Sequence, residues 1–272
     1  MARATAHLIR LSVTPVKGLA LVHPDAVELT PAGIPGNRRF YLIDEHGELF
    51  SGFDHGPLVS VVPTYDQDQE RLSLRFPDGG EVVGDARAPG RAVSTNFHGR
   101  RVEGQLMEGP WSGAVSTFVG ASLRLVRTDR DGDGSDVEHL TVVSTASIAD
   151  LGVRGRHDGP LDARRFRIDV EVDGTGPYEE DSWEGQRVRI GDATVSVLGQ
   201  IPRCRVTTQS PQTGVRDWGT LTQIAKYRPR IPNDGGIPFG MYARVERPGT
   251  VRVGDPVGLV VRDESALSTH GA

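Results

Sequence analysis

Short runs in which apolar and polar residues alternate recur along the whole chain. The segments "HLIRLSV", "FRIDVEV" and "ATVSVLG" are typical, and they are rich in the β-branched residues that strands favour. Turn sequences such as "PDGG" and "VGDP" separate many of these runs. In "RVRIGDATVSVLG" two runs flank Gly191 and Asp192, which predicts a hairpin with its turn at those residues. The pattern predicts a mainly β protein.

Helical patterns are few and short. "STASIADLG" offers Ser144 or Thr145 as an N-cap, a short apolar stripe and Gly152 as a stop signal. "GTLTQIAKYRP" predicts a second short helix, with Thr220 as its cap and Pro229 as its terminator.

Composition supports this picture and suggests two units. The 272 residues include 34 glycines and 18 prolines, and only 6% are aromatic, which suits short strands joined by tight turns. The acidic, Gly-rich stretch "RTDRDGDGSDVEHL" is the best candidate for a boundary. We therefore predict a β-rich N-terminal unit over residues 1–128, a second β-barrel-like unit over residues 129–262, and a frayed tail over residues 263–272.

Charge and cysteine content exclude several classes of protein. A formal net charge of -5 argues against a non-specific nucleic-acid binder. The segment "MARATAHLIRLSVTPVKG" has no apolar stretch long enough for a signal peptide or a membrane span, so we expect a cytoplasmic protein with no membrane partner. One cysteine excludes an internal disulfide and a multi-cysteine zinc site.

That cysteine, Cys204, lies between Arg203 and Arg205. A lone cysteine is often only a small buried apolar side chain. Neighbouring guanidinium groups favour the thiolate, which is both a nucleophile and a metal ligand. Adjacent residues of a strand point to opposite faces, however, so the two arginines need not lie beside the sulfur. A single thiolate suits a soft, high-valent metal held mostly by a cofactor, or a covalent sulfur intermediate.

Positive charges stand near the starts of several predicted strands. "TPVKGL" places Lys17 beyond the first strand, and "PGNRRFYLID" places Arg38 and Arg39 before another. A third segment, "DARRFRIDVEV", contributes Arg164, Arg165 and Arg167. Each set can be a solvated face, but together they can converge on an anionic ligand.

Two further features allow either a structural or a functional interpretation. The hydroxyl groups of Ser144, Thr145 and Ser147 stand at a predicted helix N-terminus, where they can cap the helix or bind phosphate. Asp181, in "EEDSW", is either a turn acid or a carboxylate that handles protons.

The aspartates of "DRDGDGSDVEHL" open like a calcium loop, but Leu140 stands where the bidentate glutamate is expected. An acidic linker is the better interpretation of this segment.

Taken together, and in their order along the chain, several segments of this sequence resemble the MOSC family, the proteins related to the C-terminal domain of molybdenum cofactor sulfurase. The first half is similar through "LSVTPVKGL", "GIPGNRRFYLIDEHGEL" and "LRLVRT", and the second through "LTVVSTASIADL", "ARRFRIDVEVDG", "PRCRVTTQSPQTG" and "GTVRVGDPV". The resemblance covers about residues 7 to 262, and is greatest to two-part members related to the mitochondrial amidoxime-reducing component.

The resemblance implies a MOSC β-barrel preceded by a MOSC-type N-terminal β-barrel domain. It also implies a molybdenum cofactor (molybdopterin) whose metal is bound by Cys204. The residues that match the family's pterin and phosphate contacts are Lys17, Arg39, Ser144, Thr145, Ser147 and Arg167.

The chain departs from the family pattern at two charged positions. Where many relatives read Arg-Pro-Asn, this chain reads Arg167-Ile168-Asp169. Where relatives often carry an aspartate before the arginine of the N-terminal motif, the equivalent residue here is Arg38, or Asn37 under a shifted alignment.

The function that the resemblance implies is reduction of an N-hydroxylated or N-oxide small molecule at molybdenum, with Asp181 as a candidate catalytic carboxylate. The chain has no flavin or iron–sulfur motif, so electrons would come from a separate flavin or iron–sulfur reductase. Two alternatives stay open: a sulfur carrier that uses a Cys204 persulfide, and a non-catalytic carrier of the cofactor.

Overall fold

The computed structural model describes residues 6–87, 89–232 and 234–260. Within these ranges the helices are α1 (Trp111–Val119), α2 (Thr145–Arg154) and α3 (Thr220–Ile224). Short 3-10 helices cover Gly56–Ser60, Ala163–Phe166, Glu179–Trp183 and Arg205–Thr208. The strands, in chain order, are β1 (Ala6–Leu11), β2 (Ala26–Leu29), β3 (Phe40–Ile43), β4 (Leu49–Phe50), β5 (Val62–Asp66), β6 (Arg71–Arg75), β7 (Glu81–Asp85), β8 (Pro89–Phe97), β9 (Arg100–Met107), β10 (Arg124–Thr128), β11 (Leu140–Ser144), β12 (Val170–Asp173), β13 (Arg187–Ile190), β14 (Ala193–Arg203), β15 (Ile237–Arg247), β16 (Gly249–Arg252) and β17 (Pro256–Leu259).

Seven strands close into a barrel in the order β1, β12, β11, β15, β14, β13 and β17. Alternate side chains of these strands point inward and form the barrel core, among them the buried Leu8, Val142, Val195 and Met241. The core follows from the period-2 pattern of the sequence, because successive strand residues face opposite sides. The predicted mainly β fold with few helices is confirmed.

The strand that closes the barrel comes from the start of the chain. β1 pairs with β12 and with β17, and each of these strands lies more than 150 residues after β1 in the chain. β2 likewise pairs with β16, and Leu29 of β2 and Val251 of β16 belong to the barrel core. The described part of the chain thus starts in the barrel, leaves it after β2, and returns to it after β10. The division of the chain at residue 129 stays a prediction.

The segment from β3 to β10 forms the N-terminal unit, which consists of two sheets and α1. One sheet has the order β4-β3-β10-β9-β8, and the other has the order β5-β6-β7. Their core includes the fully buried Phe40, Leu72 and Trp111. The indole Nε1 of Trp111 donates a hydrogen bond of 2.9 Å to the carbonyl of Leu72 and so ties α1 to β6.

Some of the local predictions for the second half of the chain hold and others are wrong. The second predicted helix is present as α3, but its N-cap is Gly219 and not Thr220, and it ends at Ile224, well before Pro229. The hairpin turns at Gly191 and Asp192, between β13 and β14. Ser144 is the N-cap of α2, and its side chain accepts a hydrogen bond from the amide of Ala146. The predicted stop at Gly152 is wrong, because α2 continues to Arg154. Gly152 lies inside the helix where it faces Leu161, and a β-carbon there would stand 3.3 Å from that of Leu161.

The N-terminal unit meets the barrel near the single cysteine. The side-chain amide of Gln209 donates a hydrogen bond of 2.9 Å to the carbonyl of Gly52. The backbones of Gly56 and Gly214 pack so closely that neither position has room for a β-carbon. A second junction joins Asn37 and Arg38 to Asp169.

Among the described residues, no helix has both the length and the apolar character that crossing a membrane requires. The predicted tail, residues 263–272, lies outside the described residues.

Candidate functional site

Cys204 follows the last residue of β14 and is exposed to solvent. It has an extended backbone, and the 3-10 helix Arg205–Thr208 begins directly after it. The hydroxyl of Thr207 donates a hydrogen bond of 3.0 Å to the carbonyl of Cys204 and fixes this turn. The thiol is therefore held on a defined backbone and is open to a ligand.

The two arginines beside Cys204 have different environments. Nε of Arg203 donates 2.7 Å to the carbonyl of Phe239, and Nη1 donates 3.0 Å to that of Phe166. Its Nη2 is buried and has no hydrogen-bond partner among the described residues. The guanidinium of Arg205 instead stacks 3.4 Å from the ring centre of Phe53, on the N-terminal unit. Of the two, only Arg203 presents a buried donor without a partner.

Lys17 and Arg167 bring further positive charge to the same region. Nζ of Lys17 donates 2.9 Å to the carbonyl of Gly134 and lies 2.7 Å from a carboxylate oxygen of Asp136. Burial lowers the pKa of Lys17. Nη2 of Arg167 donates 2.7 Å to the carbonyl of Leu19. Burial also lowers the pKa of Arg167 to about 10, which leaves its guanidinium charged at neutral pH.

The two departures from the family pattern meet in one ion pair. Nη1 of Arg38 lies 3.1 Å from Oδ1 of Asp169, which is only 1% exposed. The same oxygen accepts a hydrogen bond of 3.0 Å from Nδ2 of Asn37. The negative charge of Asp169 is thus neutralised inside the protein, where it does not stand as an unpaired charge against an anion.

Together these groups form what we call the cation cluster, and its members influence one another electrostatically: Lys17, Arg38, Arg167, Arg203, Asp136 and Asp169. Four cations against two carboxylates leave a surplus of two positive charges among side chains that are buried or half-buried, apart from the exposed Asp136. Burying cations without partners is unfavourable, so such a surplus favours an anionic ligand. The unpartnered Nη2 of Arg203 and the exposed thiol beside it fit an anionic cofactor whose metal accepts a thiolate.

Arg39 contacts a different set of groups. Its Nη1 donates 3.2 Å to the hydroxyl of Thr128, and its Nε lies 3.5 Å from a carboxylate oxygen of Asp131. Burial lowers its pKa, while Asp131 raises it.

The acidic stretch after β10 binds cations of the protein itself. Asp136 and the carbonyl of Gly134 hold Lys17, and Asp131 pairs with Arg39. The described ranges contain no group of three or more histidine, cysteine, aspartate or glutamate side chains able to hold a metal ion.

The hydroxyls at the start of α2 already have protein partners. Oε1 of Glu180 accepts 3.2 Å from the amide of Ser144 and 2.7 Å from the hydroxyl of Ser147. The hydroxyl of Thr145 donates to Asp173. Thr145 also lines a cleft of about 1100 Å³ between α2 and the barrel wall. A buried carboxylate therefore occupies the helix N-terminus, and a cofactor contact by these hydroxyls stays a prediction.

Glu180 itself leads to a pH-dependent prediction. It is 1% exposed, its Oε2 has no partner among the described residues, and burial raises its pKa above that of an ordinary glutamate. An acid with a raised pKa in the folded state stabilises the fold below its unfolded pKa and loses that contribution as the pH rises. Glu180→Gln should therefore match the wild type near pH 4 and exceed its Tm by about 2–4 °C at pH 7–8.

The comparison is a set of thermal unfolding curves from pH 4 to pH 8. Glu184→Gln, which changes an exposed carboxylate in the next turn, is the matched control and should follow the wild type. A Glu180→Gln protein whose Tm differs from the wild type by the same amount at every pH would contradict the argument.

Asp181 lies on the same 3-10 helix and pairs with Arg228. Its Oδ2 accepts 2.6 Å from Nη2 of Arg228, while its Oδ1 is buried without a partner among the described residues. The guanidinium of Arg228 also lies over the ring of Tyr178, 4.7 Å from its centre. Asp181 thus combines a structural ion pair with one unused acceptor.

The predicted site set omitted four members of the cation cluster, namely Arg38, Arg203, Asp136 and Asp169. Arg203 could have been added from its place in the chain, because it directly precedes Cys204, which the sequence had already singled out. Asp136 carried no local signal that separated it from the other aspartates of its loop. Asp169 was noticed only as a departure from the family pattern.

Comparison with known proteins connects this geometry to a family. Two family models match in tandem: the MOSC N-terminal beta barrel domain over residues 5–122 and the MOSC domain over residues 129–258. The mitochondrial amidoxime reducing component 2 of Bos taurus is 30% identical over 93% of this chain and 82% of its own length. The mitochondrial amidoxime-reducing component 1 of Homo sapiens is 31% identical, over 92% of this chain and 82% of its own. A molybdenum cofactor sulfurase of Oryza sativa subsp. japonica is 25% identical over 88% of this chain, but only 32% of its own length.

Proposed function

The chain belongs to the MOSC family, and on that premise we propose that it is a molybdenum-cofactor-dependent reductase of N-hydroxylated or N-oxide small molecules. Cys204 would be the metal ligand. The observation that carries the proposal is the exposed thiol beside Arg203, whose buried Nη2 has no partner among the described residues. Relatives named for amidoxime reduction, about 30% identical over most of their length, support the substrate class.

The residues of the chain would divide the work between the metal and the anionic part of the cofactor. The thiolate of Cys204 would be a soft donor that suits a high-valent metal. Arg203, Arg167 and Lys17 would hold the negative charges of the cofactor by charge-assisted hydrogen bonds. Arg39 and the hydroxyls of α2 remain proposed contacts. The bound cofactor supplies the two-electron couple that the reaction needs.

Removing one oxygen as water takes two electrons and two protons. Asp181 is our candidate for handling a proton, because its Oδ1 has no hydrogen-bond partner within the described ranges. The electrons would come from a separate flavin or iron–sulfur reductase. The chain itself has a single cysteine, which cannot ligate an iron–sulfur cluster of the usual four-cysteine type.

The first test is the molybdenum and pterin content of the full chain, purified from a host that makes the cofactor. We expect close to one molybdenum per chain and reduction of an amidoxime to the amidine with a chemically reduced viologen as electron donor. A chain that contains no molybdenum and reduces no amidoxime, hydroxylamine or N-oxide would overturn the proposal. A chain that binds molybdenum but turns over none of these would indicate a non-catalytic cofactor carrier.

A sulfur-carrier role is the second candidate, and two observations favour it. The only cysteine is exposed, and a relative over 88% of this chain is named a molybdenum cofactor sulfurase. The Cys204 thiolate would take a sulfur atom from the persulfide of a cysteine desulfurase, whose own thiolate is then released. Labelled sulfur that appears on wild-type protein and is absent from Cys204→Ala would support this role. Equal labelling of both proteins would exclude it.

A further inference from the structure

We infer that Asp169 is a positioning residue that holds Arg38 and Arg167 in place for an anionic ligand, an inference that rests on the proposed function. Its carboxylate is almost fully buried and accepts from three side chains. Oδ1 accepts 3.0 Å from Asn37 and 3.1 Å from Arg38, and Oδ2 accepts 2.6 Å from the hydroxyl of Thr141. These donors come from the N-terminal unit and from a barrel strand, so one carboxylate joins both sides of the site.

The main chain of Asp169 is fixed as firmly as its side chain. Its amide donates 2.9 Å to the hydroxyl of Thr141, and its carbonyl accepts 2.9 Å from the amide of Ser12. Asn37 is fixed in turn, because its Oδ1 accepts 2.9 Å from the amide of Thr14. Asp169 therefore cannot move without breaking several bonds, which makes it a rigid reference point for the arginines that surround it.

Both arginines have strained backbones, and Asp169 supports both. Arg38 and Arg167 have φ angles of 53° and 52°, in the left-handed region that side-chain-bearing residues rarely adopt. Such conformations persist only where the surroundings over-determine them. Arg38 pairs with Asp169, and its Nη2 donates 3.3 Å to the carbonyl of Arg167, two residues before Asp169 in the chain. Asp169 is thus a direct partner of one strained arginine and a close chain neighbour of the other.

A positioning role and a purely electrostatic role of Asp169 predict opposite changes in anion binding when its carboxylate is removed. Removing the carboxylate adds one net positive charge to the cation cluster, and charge alone would then strengthen the binding of an anion. Removing it also frees Arg38 and the carbonyl of Arg167, and loss of position would weaken the same binding. The sign of the change therefore separates a positioning role from a purely electrostatic one.

The experiment measures the binding of inorganic phosphate to the cofactor-free full chain by calorimetry. Asp169→Ala should bind phosphate about 10-fold more weakly than the wild type, in spite of its extra positive charge. Asp169→Asn should restore binding to within about 3-fold of the wild type or better, because the amide oxygen can still accept from Arg38 and Asn37. Asp169→Ala that binds phosphate as tightly as the wild type, or more tightly, would overturn the inference. So would a folded wild type that binds no phosphate.

Two matched variants separate this role from general destabilisation. Glu171→Gln removes another buried carboxylate, which lies two residues after Asp169 in the chain and pairs with Arg10. This variant should leave phosphate binding unchanged. Thr141→Val removes one support of Asp169 without altering any charge and should weaken phosphate binding about 3-fold. It keeps the test decisive if Asp169→Ala fails to fold. An unchanged affinity in Thr141→Val would count against positioning.

A spectroscopic readout follows the arginines directly. The Nε–H signals of Arg38 and Arg167 should be resolved and slow to exchange in the wild type and in Glu171→Gln, and should broaden or vanish in Asp169→Ala. Sharp signals in Asp169→Ala would overturn the inference. All these measurements use cofactor-free protein, so a failure to bind molybdenum would refute the proposed function and leave this inference separately testable.

Discussion

Replacing Cys204 by serine is expected to remove at least nine-tenths of the bound molybdenum, and the reductase activity with it. A serine hydroxyl is far harder to deprotonate than a thiol and is a poorer donor for a soft metal. Cys204 is exposed and its side chain has no described structural partner, so the Tm of the cofactor-free protein should change by no more than about 1 °C. Metal analysis of the purified variant and of the wild type measures the effect.

Arg205→Lys is the matched control for this substitution. It changes the next residue in the chain, whose guanidinium stacks on Phe53 and has no place in the cation cluster. The variant should keep its molybdenum. If Cys204→Ser retains molybdenum and activity at the level of Arg205→Lys, the thiolate is not the ligand and the reductase assignment falls.

Arg203→Lys should lower the affinity for the cofactor by about 10- to 100-fold, although the charge is conserved. The guanidinium of Arg203 holds the carbonyls of Phe239 and Phe166 with two of its nitrogens and keeps the third free. An ammonium group is a point donor and cannot hold both carbonyls while it also presents a donor to a ligand. The readout is the fraction of chains that retain molybdenum after dialysis.

The pair Arg203→Lys and Arg205→Lys makes the same chemical change on either side of Cys204. A loss of cofactor in the first variant only would show that the half-buried guanidinium of Arg203, and not merely local positive charge, holds the cofactor. Equal retention in both would contradict that role. A drop in the Tm of Arg203→Lys without cofactor would measure the structural part of its contribution.

Local features of the fold could be predicted from the sequence, because they depend on near neighbours in the chain. The β13–β14 hairpin follows from Gly191 and Asp192 between two alternating runs, and Ser144 caps α2 as its position suggests. Helix α1 gave no comparable signal. Its sequence, "WSGAVSTFV", contains glycine and β-branched residues with low helix propensity, and its stability comes from burying Trp111 and Val115.

The candidate site was predictable only in part, for a related reason. Cys204 and Lys17 could be singled out by their own segments and by the family resemblance. The ion pair between Arg38 and Asp169 joins residues 131 positions apart, and nothing in either segment names the other. Likewise, the carboxylate of Glu180 binds the N-terminus of α2, where the sequence predicted a possible phosphate site. Which acid neutralises which base depends on tertiary packing, and a single sequence does not contain that information.

The position of β1 has a consequence for how the protein can be made. The barrel cannot close until β1 meets β17, about 250 residues later in the chain, so the edge of β1 that pairs with β17 stays open while the segment between them is made. Closure of so long a loop is entropically costly and slow. A gene fragment that starts at residue 129 would encode six of the seven barrel strands. It would leave β12 and β17 as open sheet edges, which favour aggregation. Grafting residues 6–30 onto the end of such a fragment through a short linker would give a circularly permuted barrel that has all seven of its strands.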